Sequence, residues 1–146
     1  MRDPEDLLWL RALIWPEQNS RAMLLENAIR VARKYPPKVM KGDALKLMPE
    51  IIGKVPDNRT MCVLSSFTLR QFSQSARKTF FDIVRKFGIE REFYVVLLDA
   101  SGSVSTLSLI WVEDKVTVQA RLGRCGLHGE WLKWTQGFQR VQETPS

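Results

Sequence analysis

The chain is 146 residues long, 45% apolar and 10% aromatic, a composition that favours one compact globular domain and excludes a disordered chain. Lys and Arg number 22 against 16 Asp and Glu, so the formal net charge is +6 at pH 7, which favours acidic partners only weakly. No stretch approaches the roughly 18 apolar residues of a membrane span. The N-terminus opens with acidic residues instead of the cationic start of a secretory signal. We therefore expect a cytoplasmic protein with no membrane segment.

The cysteines and the histidine argue against a metal site. Cys62 and Cys125 are the two cysteines and they form no CxxC pair. Two thiols are too few for a disulfide framework, and with His128 as the single histidine they do not supply a zinc site. We expect both thiols to be reduced and no metal to bind.

Two helices are predicted in the first quarter of the chain. Residues 3–6, Asp-Pro-Glu-Asp, combine an N-cap carboxylate, a proline at the first helical position and acids at the positive end of the helix dipole. This helix should end near Trp15, since Pro16 disfavours helical geometry in the residue before it. Apolar residues at three- and four-residue steps predict a second helix over residues 17–34, ended by prolines at 36 and 37.

The next segments alternate between strands and helices. Residues 38–41 read as a short strand, and residues 44–48 as a helical turn with Asp43 as its N-cap. Pro49 then either kinks a continuous helix or starts a second turn that ends at Gly53, and both alternatives are open. Residues 61–64 form an apolar run typical of a buried parallel strand.

A second βα pattern follows, and then a hairpin. A helix capped by Ser73 or Ser75 is expected to close at Gly88, and residues 93–98 read as another buried strand. Two strands over 106–112 and 116–122 are joined by a turn at 113–115. After them, two tryptophans three residues apart, Trp131 and Trp134, predict one face of a helix.

This order of elements predicts an α/β fold with helices on the faces of a sheet. The closing antiparallel hairpin makes that sheet mixed. In such sheets a ligand binds beyond the carboxyl ends of the parallel strands, so the residues that follow each strand are site candidates. They are Asp43, Ser65, Ser66 and Asp99.

Each candidate also has a purely structural interpretation. Gly42 lets the backbone approach a ligand beside Asp43, yet an aspartate at this position caps a helix, and capping is the favoured interpretation. Ser65 and Ser66 are suited to a polar substrate but lie in no G-x-S-x-G elbow, which disfavours a hydrolase nucleophile. His128 is a possible general base, although its glycine and tryptophan neighbours favour a structural role.

Two sequence features bear on phosphate binding. Basic residues concentrate over positions 30–41, but they complement a helix C-terminus and carry no nucleic-acid motif, so a solvated surface is favoured over nucleic-acid binding. They are Arg30, Arg33, Lys34, Lys38 and Lys41. Neither a G-x-G-x-x-G nor a Walker loop occurs in the sequence, so no glycine-rich cradle for a phosphate or a dinucleotide is predicted.

Three segments in order resemble a known bacterial family. They are WLRALIWPE at 9–17 with Arg21, KGDA at 41–44, and LHGEWLKW at 127–134. Together they resemble the uncharacterised family called domain of unknown function 2332, and the first block is the most specific. The match covers the carboxyl-terminal part of the family, whose members are similar to Rossmann-type methyltransferases.

The resemblance implies a partial Rossmann-like, methyltransferase-type sheet flanked by helices and ending in an antiparallel hairpin. It places Gly42 and Asp43 on the adenine side of an S-adenosylmethionine site, and Ser65 and Ser66 on the substrate side. Family members often have histidine at the Ser65 position. His128 matches the family pattern, in which its role is unknown. The glycine-containing turn that holds the cofactor belongs to an amino-terminal part of such proteins, so this chain alone is not expected to bind S-adenosylmethionine.

The resemblance also implies a division of the chain and a choice of partners. We expect residues 1–134 to form a single α/β domain, the carboxyl-terminal part of a longer one, and residues 135–146 to form a polar tail. Without the strands of the amino-terminal part the sheet has an open edge. A second copy or a separate amino-terminal half is then the expected partner, and the substrate is an unknown small molecule. The alternative is a non-enzymatic interaction module that pairs through that edge.

Overall fold

The fold comes from a computed structural model, which describes residues 3–101, 104–127 and 129–142. The chain divides into two compact units, Met1–Lys41 and Gly42–Ser146. Within the described residues, no helix is both long enough and apolar enough to cross a membrane.

The first unit contains two helices, α1 (Pro4–Ala12) and α2 (Asn19–Lys34). The predicted N-cap is confirmed, because Asp3 Oδ1 accepts a hydrogen bond of 2.9 Å from the backbone N–H of Glu5. Helix α1 ends three residues before the predicted Trp15. A bidentate ion pair joins the two helices, with Arg11 Nε 2.6 Å from Glu26 Oε1.

The strand predicted at residues 38–41 is wrong. Residues 36–41 form neither helix nor strand, and the Val39 side chain is 83% exposed. Two adjacent prolines before it remove two backbone donors, and the segment pairs with none of the strands of the described sheet. Short apolar runs become strands only where a neighbouring strand satisfies their backbone groups.

The second unit is built on a five-stranded sheet in the order β1-β2-β3-β4-β5. Strands β1 and β2 run parallel, and the remaining neighbours are antiparallel, so the mixed α/β class is confirmed. The order of elements is α3 (Ala44–Gly53), β1 (Met61–Ser66), a 3₁₀ turn (Leu69–Gln71), α4 (Gln74–Glu90), β2 (Phe93–Ser101), β3 (Val104–Glu113), β4 (Val116–Cys125) and β5 (Leu132–Gln142).

Helices α3 and α4 cover one face of this sheet. Pro49 lies inside α3, which decides the open question in favour of one continuous helix. Helix α4 is capped by Ser73, whose Oγ accepts from Ala76 N at 3.2 Å. The core of the unit is Ile52, Leu69, Phe80, Val84, Phe93, Val95, Leu97 and Ile110.

In the second unit the end of α4 differs from the prediction, whereas the predicted hairpin turn is confirmed. Gly88 does not end α4, which continues to Glu90. Glycine stands here because Val112 of β3 packs so closely against the helix that a β-carbon would clash with it. The hairpin turn is confirmed at Asp114 and Lys115, which have φ angles of 51° and 65°. These positive angles match the right-handed twist of the two flanking strands.

The helical face predicted for Trp131 and Trp134 is wrong. Trp134 lies in β5, opposite Gly123 of β4, and Trp131 lies just before that strand. The polar tail expected from residue 135 is also wrong as far as Gln142, where β5 ends. Pairing with the edge of β4 satisfies the backbone here, and that long-range partner is invisible in the helical spacing of the tryptophans.

Candidate functional site

The carboxyl ends of the parallel strands β1 and β2 lie side by side at one edge of the sheet. Ser65 and Ser66 are the last residues of β1 and pair with Leu97 and Leu98 of β2. Asp99 follows one position further along β2. Three of the four residues predicted to follow strands are therefore brought to the same edge, where α/β sheets bind ligands.

The two serines point to opposite faces of the sheet. Ser65 is 7% exposed and lies on the face covered by α3 and α4, whereas Ser66 is exposed on the other face. Ser65 Oγ has no hydrogen-bond partner. A buried hydroxyl without a partner costs about 1–3 kcal/mol, so this group is an unsatisfied donor and acceptor at the strand end.

Phe67 turns the chain away from the end of β1. Its φ angle is +56°, the left-handed region that bulky L-residues rarely occupy. The turn is held by two hydrogen bonds, from Phe67 N to the Leu98 carbonyl at 2.9 Å and from Thr68 Oγ1 to the Ser66 carbonyl at 3.2 Å. Backbone strain of this kind clusters at functional sites. The sequence carries no signal for it, since neither glycine nor asparagine stands at this position.

Arg70 was not predicted and adds a positive charge to the site. Its Nε lies 3.6 Å from Asp99 Oδ1, an ion pair too long for a hydrogen bond. The same Oδ1 accepts a hydrogen bond of 2.9 Å from Ala100 N. Leu69, which is fully buried in the core, anchors the 3₁₀ turn that presents Arg70. A leucine followed by an arginine three and four residues after the end of β1 is the available sequence signal.

Asp43 has the capping role that the sequence favoured. Its Oδ1 accepts a hydrogen bond of 2.9 Å from Leu45 N at the start of α3. Gly42 before it has a φ angle of +154°, and a β-carbon there would meet the Leu47 side chain, so glycine is required. In the described residues, no hydrogen bond or ion pair connects Asp43 with Ser65, Ser66 or Asp99. A ligand role for Gly42 and Asp43 stays a prediction.

The remaining candidates lie elsewhere. His128 is outside the described residues, so its predicted role stays a prediction. The basic residues predicted to form a solvated surface are all exposed within the first unit. They are Arg30, Arg33, Lys34, Lys38 and Lys41.

The strand-end site presents polar and charged side chains. It offers the hydroxyl of Ser65, the exposed hydroxyl of Ser66 and the Arg70 and Asp99 charges. Among the described residues, none is hydrogen-bonded to Ser65 Oγ.

The fold and this site define a class, a mixed α/β domain with one parallel βαβ unit and an antiparallel extension. The sequence matches the family described as "Uncharacterized protein conserved in bacteria (DUF2332)" over residues 1–134, and the chain belongs to that family. Neither a curated protein nor a solved structure matches it.

Proposed function

We propose that this chain is the carboxyl-terminal portion of a methyltransferase-like Rossmann domain and that it does not bind S-adenosylmethionine alone. Strand β1 carries the proposal. It is an edge strand of the described sheet, yet it has the composition of an interior strand, with no charge and no proline over Met61–Ser66. Apolar side chains occupy both of its faces, the pattern of strands buried within parallel sheets.

The exposure of the second face supports the same proposal. Met61 and Val63 are half-buried beneath the helices, whereas Cys62 and Leu64 point to the other face, and Leu64 is 72% exposed. Natural edge strands are protected by charges, prolines or bulges. A further βα unit on this side of β1 would pair the edge and cover Leu64.

The backbone hydrogen bonds of β1 show which of its N–H and C=O groups point away from β2. Met61 N donates to the Glu92 carbonyl at 3.1 Å and Phe67 N donates to the Leu98 carbonyl, so the odd-numbered residues face β2. Because backbone direction alternates along a strand, the N–H and C=O groups of Cys62 and Leu64 point to the open edge.

The residues of this chain fit S-adenosylmethionine poorly, which supports the proposal that the chain alone does not bind this cofactor. The Asp43 carboxylate already accepts the capping hydrogen bond from Leu45 N. The sequence also has no glycine-rich loop for the cofactor.

Calorimetric titration of S-adenosylmethionine into the purified chain tests the proposal. The expected result is no saturable heat up to millimolar cofactor. Saturable binding at micromolar concentrations would overturn the claim that the chain alone is incompetent. S-adenosylhomocysteine serves as a second titrant, because it has the same adenosine group without the methyl charge.

The open edge of β1 also favours the second candidate, an interaction module that pairs with another copy. Sedimentation equilibrium would then show a mass of twice 16.9 kDa. Leu64→Pro removes one outward N–H without breaking the ladder to β2, so it should restore the monomer. Val63→Pro is its matched control, because that change breaks the β1–β2 ladder. A wild-type monomer at high concentration would exclude this candidate.

A further inference from the structure

Three exposed cations form a strip on the open part of the helix-covered face, where the sheet continues past α4. Helix α4 packs on β2 and β3, whereas Arg121 and Arg124 of β4 and Lys133 of β5 are exposed. We call these three residues the cationic strip.

The strand register places the strip in line with the strand-end site. Asp99 pairs with Thr106, Thr106 with Arg124, and Arg124 with Lys133, one row across four strands. In the neighbouring row, Ser65 pairs with Leu97, Leu97 with Ser108 and Ser108 with Arg121. At about 4.8 Å between strands, Arg124 stands about 10 Å from Asp99 along its row.

Both arginines share one face despite the bulge between them. Ser108 and Thr106 are two residues apart on β3 and therefore point the same way, and they pair with Arg121 and Arg124 respectively. The irregularity in the β3–β4 register inserts an extra residue of β4 between the two arginines. A bulge of this kind re-aims side chains, and here it leaves Arg121 and Arg124 on the same face of the sheet, the one that α4 covers in part.

The strip is electrostatically unfavourable by itself. Arg124 and Lys133 are direct cross-strand partners, and like charges at opposed positions destabilise a sheet. Among the described residues, no hydrogen bond or ion pair neutralises any of the three cations. The acid in their row, Asp99, is already paired with Arg70.

We propose that the cationic strip binds a phosphate-bearing ligand. Two guanidinium groups and one ammonium on adjacent strands match the charge density of linked phosphates, and guanidinium binds phosphate oxygens in pairs. The phosphates come either from a single-stranded nucleic acid or from a free phosphorylated compound. The proposal depends only on the β4–β5 surface and not on the proposed relation to methyltransferases.

Fluorescence anisotropy with a fluorescein-labelled single-stranded oligonucleotide tests the proposal. Three phosphate contacts give a slope of about −2 for log binding constant against log salt, so affinity should fall about 20-fold between 50 and 200 mM NaCl. The double variant R124Q/K133Q should keep a slope of about −0.7. Inorganic tripolyphosphate is the competitor: displacement of the oligonucleotide identifies free phosphate groups as sufficient, and no displacement identifies the phosphodiester strand as the ligand.

The matched control is R33Q/K38Q, which removes the same two charges from the basic stretch of the first unit. It should bind as the wild type does. Equal weakening in the two double variants would show that net charge alone drives binding and would overturn the proposal. So would failure of the wild type to bind either probe at 50 mM NaCl. R124Q/K133Q also removes a repulsive pair, so its melting temperature should not fall. Loss of binding in this folded variant would therefore result from loss of the two charges and not from unfolding.

Discussion

Gly88 is required by a close approach between a helix and a strand. A β-carbon built on it lies 2.9 Å from Val112 Cβ, a distance that neither backbone tolerates without movement. The sequence pattern alone suggested a helix end at this glycine, because glycine commonly follows the last helical turn. Packing against β3 places Gly88 inside α4 instead of at its end, and this long-range contact cannot be predicted from the local sequence pattern.

Gly88→Ala should destabilise the protein despite the better helix propensity of alanine. Propensity alone would add about 1 kcal/mol to the free energy of unfolding, but forcing an extra methyl into a packed contact costs about 1–3 kcal/mol. Urea unfolding followed by circular dichroism measures the difference. In a Val112→Gly background, which removes both the β-carbon and the γ-carbons at this contact, the same change should cost less. A higher unfolding midpoint for Gly88→Ala alone would contradict the contact.

The ion pair between α1 and α2 sets the titration of one carboxyl. The hydrogen bond from Arg11 lowers the pKa of Glu26 below its ordinary value, and the charges of Arg11, Arg33 and Arg30 lower it further. A lowered folded pKa contributes stability above the ordinary carboxyl pKa. That contribution is lost as the pH falls through the folded value.

Arg11→Gln should therefore raise the Glu26 pKa, because it removes both the hydrogen bond and the charge of Arg11. Carbon-13 NMR titration of the Glu26 carboxyl measures it directly. Glu50, whose pKa is lowered by Lys54, is the internal control and should not move. An unchanged Glu26 titration in the variant would show that the pair does not persist in solution.

At the scale of elements, the β3–β4 hairpin has the right turn geometry with unfavourable residues. Glu113 pairs with Val116, so Asp114 and Lys115 form a two-residue loop, and both have positive φ. Such loops favour asparagine followed by glycine. Lysine in the left-handed region carries a steric cost of about 1–2 kcal/mol.

Lys115→Gly should raise the free energy of unfolding by about 0.5–1 kcal/mol, since glycine removes that cost but adds chain entropy to the unfolded state. Thermal unfolding measured by circular dichroism detects the change. Lys115→Ala is the matched control, because it removes the charge and keeps the β-carbon. Equal stabilisation by both variants would assign the gain to charge instead of to backbone geometry.

On the scale of the whole molecule, the two units differ in how much apolar surface each buries. The second unit holds a contiguous core of eight buried residues beneath α3 and α4. In the described part of the first unit, the buried apolar residues are Leu7 and Ile29, while Trp9, Trp15 and Met23 are exposed. Local stability follows the density of buried apolar contacts.

Hydrogen exchange should therefore separate the units. Amides of β2 and β3 should exchange slowest, and those of α2 should exchange faster by at least one order of magnitude. Mass spectrometry of peptic peptides measures both, with rates corrected by those of the unfolded chain. Equal protection of α2 and β2 would show that the first unit unfolds only with the rest of the chain.

Local chemistry in the sequence determined the helix caps at Asp3 and Asp43, the apolar run at 61–64 and the hairpin turn, because each depends on residues a few positions apart. It limited the cap of α4 to Ser73 or Ser75, and the structure decided for Ser73. The sequence also predicted Ser65, Ser66 and Asp99 as site candidates at strand ends. Tertiary structure decided the rest: that residues 38–41 are not a strand, that Trp134 lies in β5, and that Phe67 and Arg70 complete the site. Those outcomes depend on partners distant in sequence, whose backbone groups and packing surfaces exist only once the sheet has formed.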